Sequence, residues 1–194
     1  MIYRTQQEVP LITYGHLNIM NDFRLLLTEL AYLTRFYIVS VASGFGDAEA
    51  VADRLYSLPL KFKAKAELIS GVPLGEELVT LLSNHIINLQ ILVNALKRGD
   101  QATVDASVQH LYSNADLLAA YFSRINPFWN EAQWRNLFYT YDSTVIEEAV
   151  AVMTGDFVRS LDIFDRLLLN ALSMADYLAS GFIQYLTVKG SSLL

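Results

Sequence analysis

The chain has 194 residues, of which 53% are hydrophobic and 18% are charged, with no Cys and a formal net charge of -6. These values exclude a disordered chain, disulfides, thiolate metal sites and catalytic thiols, and they argue against a nucleic-acid partner, which needs a basic face. We expect one domain over residues 1–194, with an N-terminal extension over residues 1–17 and a flexible C-terminal tail over residues 189–194.

Apolar residues recur at three- and four-residue steps along most of the chain, which predicts α-helices. A first long helix is predicted over residues 18–43 and is ended by Gly44. Asp47 can cap the next helix, which Pro59 is expected to break because proline has no backbone N–H and crowds the preceding turn.

The third and fourth helices carry apolar residues at alternating steps of four and three. The third is predicted over residues 75–98, where Gly99 ends it and Asp100 starts the fourth. Pro127 ends the fourth helix. This heptad-like spacing on helices joined by short turns is typical of antiparallel bundles.

Two short helices are predicted next, one capped by Asn130 and one by Thr144, because each cap residue has a Gln or Glu three positions later. A last long helix then opens at Asp156 and keeps its apolar stripe as far as Tyr185. The sequence therefore predicts an all-α fold, an antiparallel up-down bundle with four long core helices and shorter connecting helices.

No targeting or membrane segment is expected. The first fifteen residues lack the apolar segment of a signal peptide. The longest uncharged stretch, residues 78–96, includes Ser, Asn, Gln and His side chains, which are costly in lipid. We interpret it as a buried helix of a soluble bundle and expect a cytoplasmic location.

Two segments 60 residues apart, 113–122 and 173–182, both fit the pattern Ser-x-Ala-Asp-x-Leu-Ala-x-x-Phe. The repetition favours an internal duplication of helical hairpins. The alternative is that two bundle helices share Ala, Leu and Phe because packing favours these residues. Either interpretation gives Asp116 and Asp176 equivalent places, each beside a core Ala.

His85 occupies a core position in the third helix, where a polar ring without a partner costs a few kcal/mol. One hypothesis makes it a ligand of a divalent metal ion or a general base, aligned with Asp116, Asp176 and Glu29. The alternative is a structural hydrogen bond to one of these carboxylates or to a backbone carbonyl. The Glu-x-x-His signature of di-iron bundles is absent from the sequence.

Arg35 lies in a stripe of small residues on the first helix, which predicts a buried ion pair with Asp116 or Asp176. Its alternative role is to hold an anionic ligand. Trp129 and Trp134 form an aromatic corner between two helices. Such a corner closes the end of a bundle or binds a ligand, and we favour the first.

Several segments resemble those of an uncharacterised family of small all-helical proteins from endospore-forming Gram-positive bacteria. They are Leu81-Leu-Ser-Asn-His85, Gly99-Asp100, Tyr112-Ser-Asn-Ala-Asp116, Ile125-Asn-Pro-Phe-Trp129 with Trp134, and Met174-Ala-Asp176. Members often carry the labels acetylglutamate kinase or glycosyltransferase, but both activities need α/β nucleotide-binding folds that this pattern cannot build. The resemblance implies a helical fold and a set of polar positions, and no activity.

One departure from that family concerns the first helix. Members carry an aromatic- and His-rich first helix ahead of a Thr-Arg pair. This sequence keeps Thr34-Arg35 but has Glu29 and Leu30 where a His is expected. The departure weakens the hypothesis of a metal ligand on the first helix.

The low charge and a second apolar side on two helices predict a homodimer and a non-enzymatic role through self-association or partner binding. The residues of that second side are Ile86, Ile87, Ile91, Val93, Val158, Ile163, Leu167, Leu169 and Ile183. One alternative is a bundle that binds a metal ion or a small ligand, with or without enzymatic activity, and another is a carrier of a small apolar ligand.

Overall fold

A computed structural model describes residues 13–70 and 72–191, which form six helices and no strand. In chain order they are α1 (Tyr14–Ser43), α2 (Ala48–Ser70), α3 (Val72–Arg98), α4 (Gln101–Ile125), α5 (Glu131–Met153) and α6 (Phe157–Ser191). The prediction of an all-α fold is confirmed.

Two helices extend into the predicted terminal segments, residues 1–17 and 189–194. Thr13 caps α1 by accepting a hydrogen bond from the His16 backbone N–H, so the helix includes most of the predicted extension that lies in the described part. Likewise α6 continues to Ser191, into the predicted tail. The remaining residues, 1–12 and 192–194, lie outside the described part.

Pro59 does not break the second helix, contrary to the prediction. It lies inside α2, which runs without interruption from Ala48 to Ser70. Leu55, Leu58 and Phe62 lie on one side of α2 and are buried. Burial of this apolar face on both sides of the proline stabilises the helix against the loss of one backbone hydrogen bond.

The two short helices predicted after residue 126 are one helix, α5. Asn130 caps it as predicted, its side chain accepting from the Gln133 N–H at 3.0 Å. The Thr144 hydroxyl instead donates to the Thr140 carbonyl, one turn earlier in the same helix, so it caps nothing. No Gly or Pro separates Glu131 from Met153, and the helix therefore continues.

All six helices, rather than four, surround the core. Each helix packs against the next one in the chain and α6 packs against α1, which closes a ring, while α1, α3 and α5 also contact one another. Consecutive helices are joined by short turns, as expected for an up-down bundle. α2 and α5, which the sequence predicts as connecting helices, have buried apolar faces of their own. Both helices therefore belong to the ring.

Because α2 and α5 also belong to the core, part of the predicted second apolar side is buried. Ile86, Val93, Ile163 and Leu167 are buried and belong to the core or to helix contacts. The exposed members of the predicted second side are Ile87, Ile91, Val158 and Leu169. The surface on which a partner could dock is therefore smaller than the sequence suggested.

In the described part of the chain, α1 and the Leu74–Arg98 portion of α3 are long and apolar enough to cross a membrane by length and composition. Of the residues in their most apolar windows, 39% and 33% are buried inside the bundle. Core helices of soluble proteins pass the same test, so these helices do not identify a membrane protein.

Gly181 in α6 is the contact point for the loop between α4 and α5. A Cβ atom there would lie 2.0 Å from Nε1 of Trp129. The Asn126 side-chain amide donates to the Gly181 carbonyl at 2.9 Å, and the Trp129 indole donates to the Tyr177 carbonyl at 3.2 Å. The absence of a side chain at position 181 thus lets this loop bind α6.

We expect Gly181→Ala to lower the free energy of unfolding by about 2 kcal/mol, because overpacking of about 1–3 kcal/mol exceeds the gain in helix propensity. Urea denaturation measures it. Gly15→Ala is the matched control, since its Cβ would meet only the Thr13 hydroxyl at an ordinary 3.7 Å. Equal stability of Gly181→Ala and the wild type would contradict the steric role of position 181.

Candidate functional site

His85 on α3 is bound by residues of two other helices. Its Nε2 lies 3.0 Å from Oδ1 of Asp142 on α5, and its Nδ1 lies 3.2 Å from Oδ1 of Asn114 on α4. The sequence had proposed Asp116, Asp176 and Glu29 as its partners. The histidine instead joins α3, α4 and α5 through a buried carboxylate and a buried amide.

The sequence reasoning missed Asp142 because it treated its segment as a connector. The residue lies among Leu137, Phe138, Tyr141 and Val145, all of them buried, and its own side chain is only 2% exposed. A carboxylate inside an apolar helix face was the available signal. Its second oxygen, Oδ2, is buried and has no hydrogen-bond partner in the described part of the chain.

Both ring nitrogens of His85 face oxygen acceptors, so both can donate only when the ring is doubly protonated. Burial lowers the pKa of His85, but the negative charge of Asp142 and hydrogen bonds to Asp142 and Asn114 outweigh it and raise this pKa. For Asp142, burial raises the pKa, and the charge and hydrogen bond of His85 oppose this increase. The pair therefore retains protons more strongly than free side chains do.

A second buried pair joins α1 to α5 and α6. Arg35 donates from Nη1 to Oε1 of Glu148 and to the Ser160 carbonyl at 3.3 Å, and its guanidinium carbon lies 5.1 Å from the centre of the Phe164 ring. The predicted ion pair of Arg35 thus exists, but its partner is Glu148 rather than Asp116 or Asp176. Glu148 was missed for the same reason as Asp142.

Only one of the two carboxylate oxygens of Glu148 has a hydrogen-bond partner among the described residues. Its side chain is fully buried, and Oε2 has no hydrogen-bond partner among the described residues. Burial raises the pKa of Glu148 to about 7, against the hydrogen bond and charge of Arg35. Nearby, the Tyr141 hydroxyl lies 3.4 Å from that of Thr34, and burial raises the Tyr141 pKa as well.

Asp116 and Asp176 lie at the surface, contrary to the expectation that they were inside. Asp116 accepts from Arg135 at 2.7 Å and from Tyr139 at 3.0 Å, and Asp176 accepts two hydrogen bonds from Arg24 at 2.6 and 2.8 Å. Their side chains are 46% and 43% exposed. Each follows a fully buried Ala, and one residue further along a helix turns the side chain about 100° away from the core.

The two similar segments, 113–122 and 173–182, are therefore alike in structure as well as in sequence. Each turns its Ala, Leu, Ala and Phe residues into the core, and its Asp pairs with an Arg of an adjacent helix. An internal duplication remains a prediction. The likeness accounts for both aspartates by surface ion pairs, without a ligand.

Glu29 also has a surface role, since it accepts two hydrogen bonds from Lys61 of α2 at 2.7 Å. Across residues 13–70 and 72–191, no group of three or more His, Asp or Glu side chains is placed to hold a metal ion. The proposed set of His85, Asp116 and Asp176 does not converge, because the last two lie on the surface in separate ion pairs.

The aromatic corner lies inside the bundle. Trp129 and Trp134 are 4% and 1% exposed, and the Phe122 ring packs against both of them. Trp134 also stacks on Phe138 and contacts Tyr177 of α6. These rings fill the space between α4, α5 and α6, as a structural corner requires.

Comparison of the chain with protein-family models, with curated proteins and with solved structures found no match. The resemblance to the helical family of endospore-forming bacteria remains a prediction.

Proposed function

We propose that the protein is a cytoplasmic, non-enzymatic helical protein that acts by forming a homodimer. The observation that carries the proposal is an exposed group of large apolar side chains, the apolar edge, along the end of α1 and the start of α6. Its members are Tyr32, Phe36, Phe157, Val158 and Leu161.

Direct contacts place the two halves of the apolar edge beside each other. The Tyr32 ring packs at 5.1 Å on Phe164 of α6 and at 6.1 Å on Phe36. Arg35, which lies between these two α1 aromatics in sequence, reaches the carbonyl of Ser160. Residues 32–36 of α1 therefore run alongside residues 157–164 of α6.

The exposed area supports a second copy as the partner. The five side chains are between 41% and 77% exposed. With about 150–250 Å² for a large aromatic side chain and somewhat less for Leu and Val, they leave about 500 Å² of apolar surface open. A standard interface buries about 800 Å² on each partner, and polar residues at the rim can supply the rest.

The contacts of the two polar pairs, His85–Asp142 and Arg35–Glu148, support a non-enzymatic role. A histidine that acts as a general base needs a ring nitrogen within reach of the substrate proton. Both ring nitrogens of His85 are occupied by buried side chains of this chain. The Arg35–Glu148 pair is likewise held between three helices.

We expect light scattering at micromolar concentration to give a mass of twice 21.8 kDa. Leu161→Glu, which places a charge in the apolar edge, should convert the dimer to a monomer. Leu117→Glu is the matched control, because Leu117 has nearly the same exposure, 57% against 56%, but lies on α4. A monomeric wild type, or equal dissociation by both variants, would contradict the proposal.

A further inference from the structure

A groove beside the apolar edge combines apolar walls with a charged side chain that is only partly neutralised. It lies at the end of α1 and has a volume of about 360 Å³. Phe36, Val39 and Phe45 provide apolar wall, and Arg35 and Asp47 are its charged residues. This volume lies within the range of about 300–1,000 Å³ that small-molecule sites occupy.

Arg35 has donors to spare. Its guanidinium carries five N–H donors. Within the described part of the chain, its hydrogen bonds to Glu148 and to the Ser160 carbonyl both use Nη1. Arg35 also lines the groove, and its side chain is 16% exposed. The remaining donors suit a planar carboxylate, which a guanidinium binds with two parallel hydrogen bonds.

The internal counter-ion of Arg35 is a weak one. Glu148 contacts it through a single oxygen, while the other oxygen has no hydrogen-bond partner among the described residues. Because burial raises the pKa of Glu148 to about 7, this carboxyl takes up a proton more readily than an exposed glutamate does. The charge of Arg35 is then left without a full counter-charge beside an open groove.

We infer that this groove binds a small amphipathic carboxylate, with the carboxylate on Arg35 and an aliphatic or aromatic body against Phe36, Val39 and Phe45. Asp47 fixes the orientation, since its carboxylate accepts from the Ser40 hydroxyl in the same groove and repels an anionic head. The ligand carboxylate replaces the charge of Glu148, so binding is accompanied by uptake of a proton by Glu148. This inference goes beyond the dimer, and the groove shares Phe36 with the apolar edge.

Calorimetric titration of the full chain with octanoate at pH 7 tests the site. We expect saturable binding by the wild type and at least about tenfold weaker binding by Arg35→Met, because the variant removes the charge-assisted hydrogen bonds to the carboxylate. Arg54→Met is the control, since it removes the same charge from an exposed position on α2. Octanol, which lacks the carboxylate, should also bind at least about tenfold more weakly than octanoate to the wild type.

Two further measurements keep the inference falsifiable if Arg35→Met folds poorly. Titrations in buffers of different ionisation enthalpy should show proton uptake by the wild type and none by Glu148→Gln. Phe45→Ser, at an exposed turn position, should weaken octanoate binding several-fold. Equal affinity for octanol and octanoate, no saturable heat with octanoate, or unchanged binding by Phe45→Ser would overturn the inference. Light scattering of the same samples measures the dimer separately, so failure of one proposal can be distinguished from failure of the other.

Discussion

Replacing His85 by leucine should lower the free energy of unfolding by about 3–5 kcal/mol at pH 8, the usual cost of removing one partner of a buried ion pair. The variant leaves the Asp142 carboxylate buried, with neither oxygen hydrogen-bonded among the described residues. It also leaves the Asn114 amide oxygen without the His85 ring. Urea denaturation measures the loss, with wild type and variant at the same protein concentration so that any self-association affects both equally.

A double-mutant cycle separates the pair from the packing. Replacing both members, His85→Leu with Asp142→Leu, should be less harmful than the sum of the two single changes, since apolar side chains of similar volume often substitute for a buried ion pair at little cost. His110→Leu is the control, because His110 is exposed, and its effect should stay within about 0.5 kcal/mol. Strictly additive effects at positions 85 and 142 would contradict a coupled pair.

The core position of His85 could be predicted from the sequence, but its partner could not. Heptad spacing predicts which face of a helix is buried, and the His85 side chain, 13% exposed, lies on the face of α3 that contacts α4 and α5. The identity of the facing residue depends on which helices become neighbours. Because the sequence predicts two short connecting helices in place of α5, it does not predict Asp142 and Glu148 as core residues. Both then emerged as the partners of the predicted His85 and Arg35.

Asp116 and Asp176 show that helical periodicity does not predict whether a residue next to a core position is buried. Their alanine neighbours were correctly expected in the core, but adjacent positions on a helix point about 100° apart. Whether such a flanking residue is covered depends on the spacing and rotation of the neighbouring helix. Here Arg135 and Arg24 stand at that boundary and pair with the carboxylates at the surface.

Buried acids should make the protein more stable at mildly acidic pH than at alkaline pH. Burial raises the pKa of Glu148 from 4.5 to about 7, so the folded state binds this proton more tightly than the unfolded state. Stability is then fully present below about pH 4.5 and declines as the pH rises through about 7, by about 3 kcal/mol in total. His85, whose pKa is also raised when folded, contributes with the same sign above its unfolded value.

Comparing Glu148→Gln with Glu147→Gln isolates the source of this dependence. Glu148→Gln keeps an oxygen that can accept from Arg35 but cannot titrate, so its unfolding free energy should fall much less between pH 5 and pH 8 than that of the wild type. Glu147 lies on the surface, where hydrogen bonds from Arg159 and Arg166 lower its pKa, so it contributes stability that is lost only in acid. Glu147→Gln should therefore leave the slope between pH 5 and pH 8 unchanged. Denaturant midpoints across that range measure both slopes, and a wild-type slope retained in Glu148→Gln would assign the proton to another group.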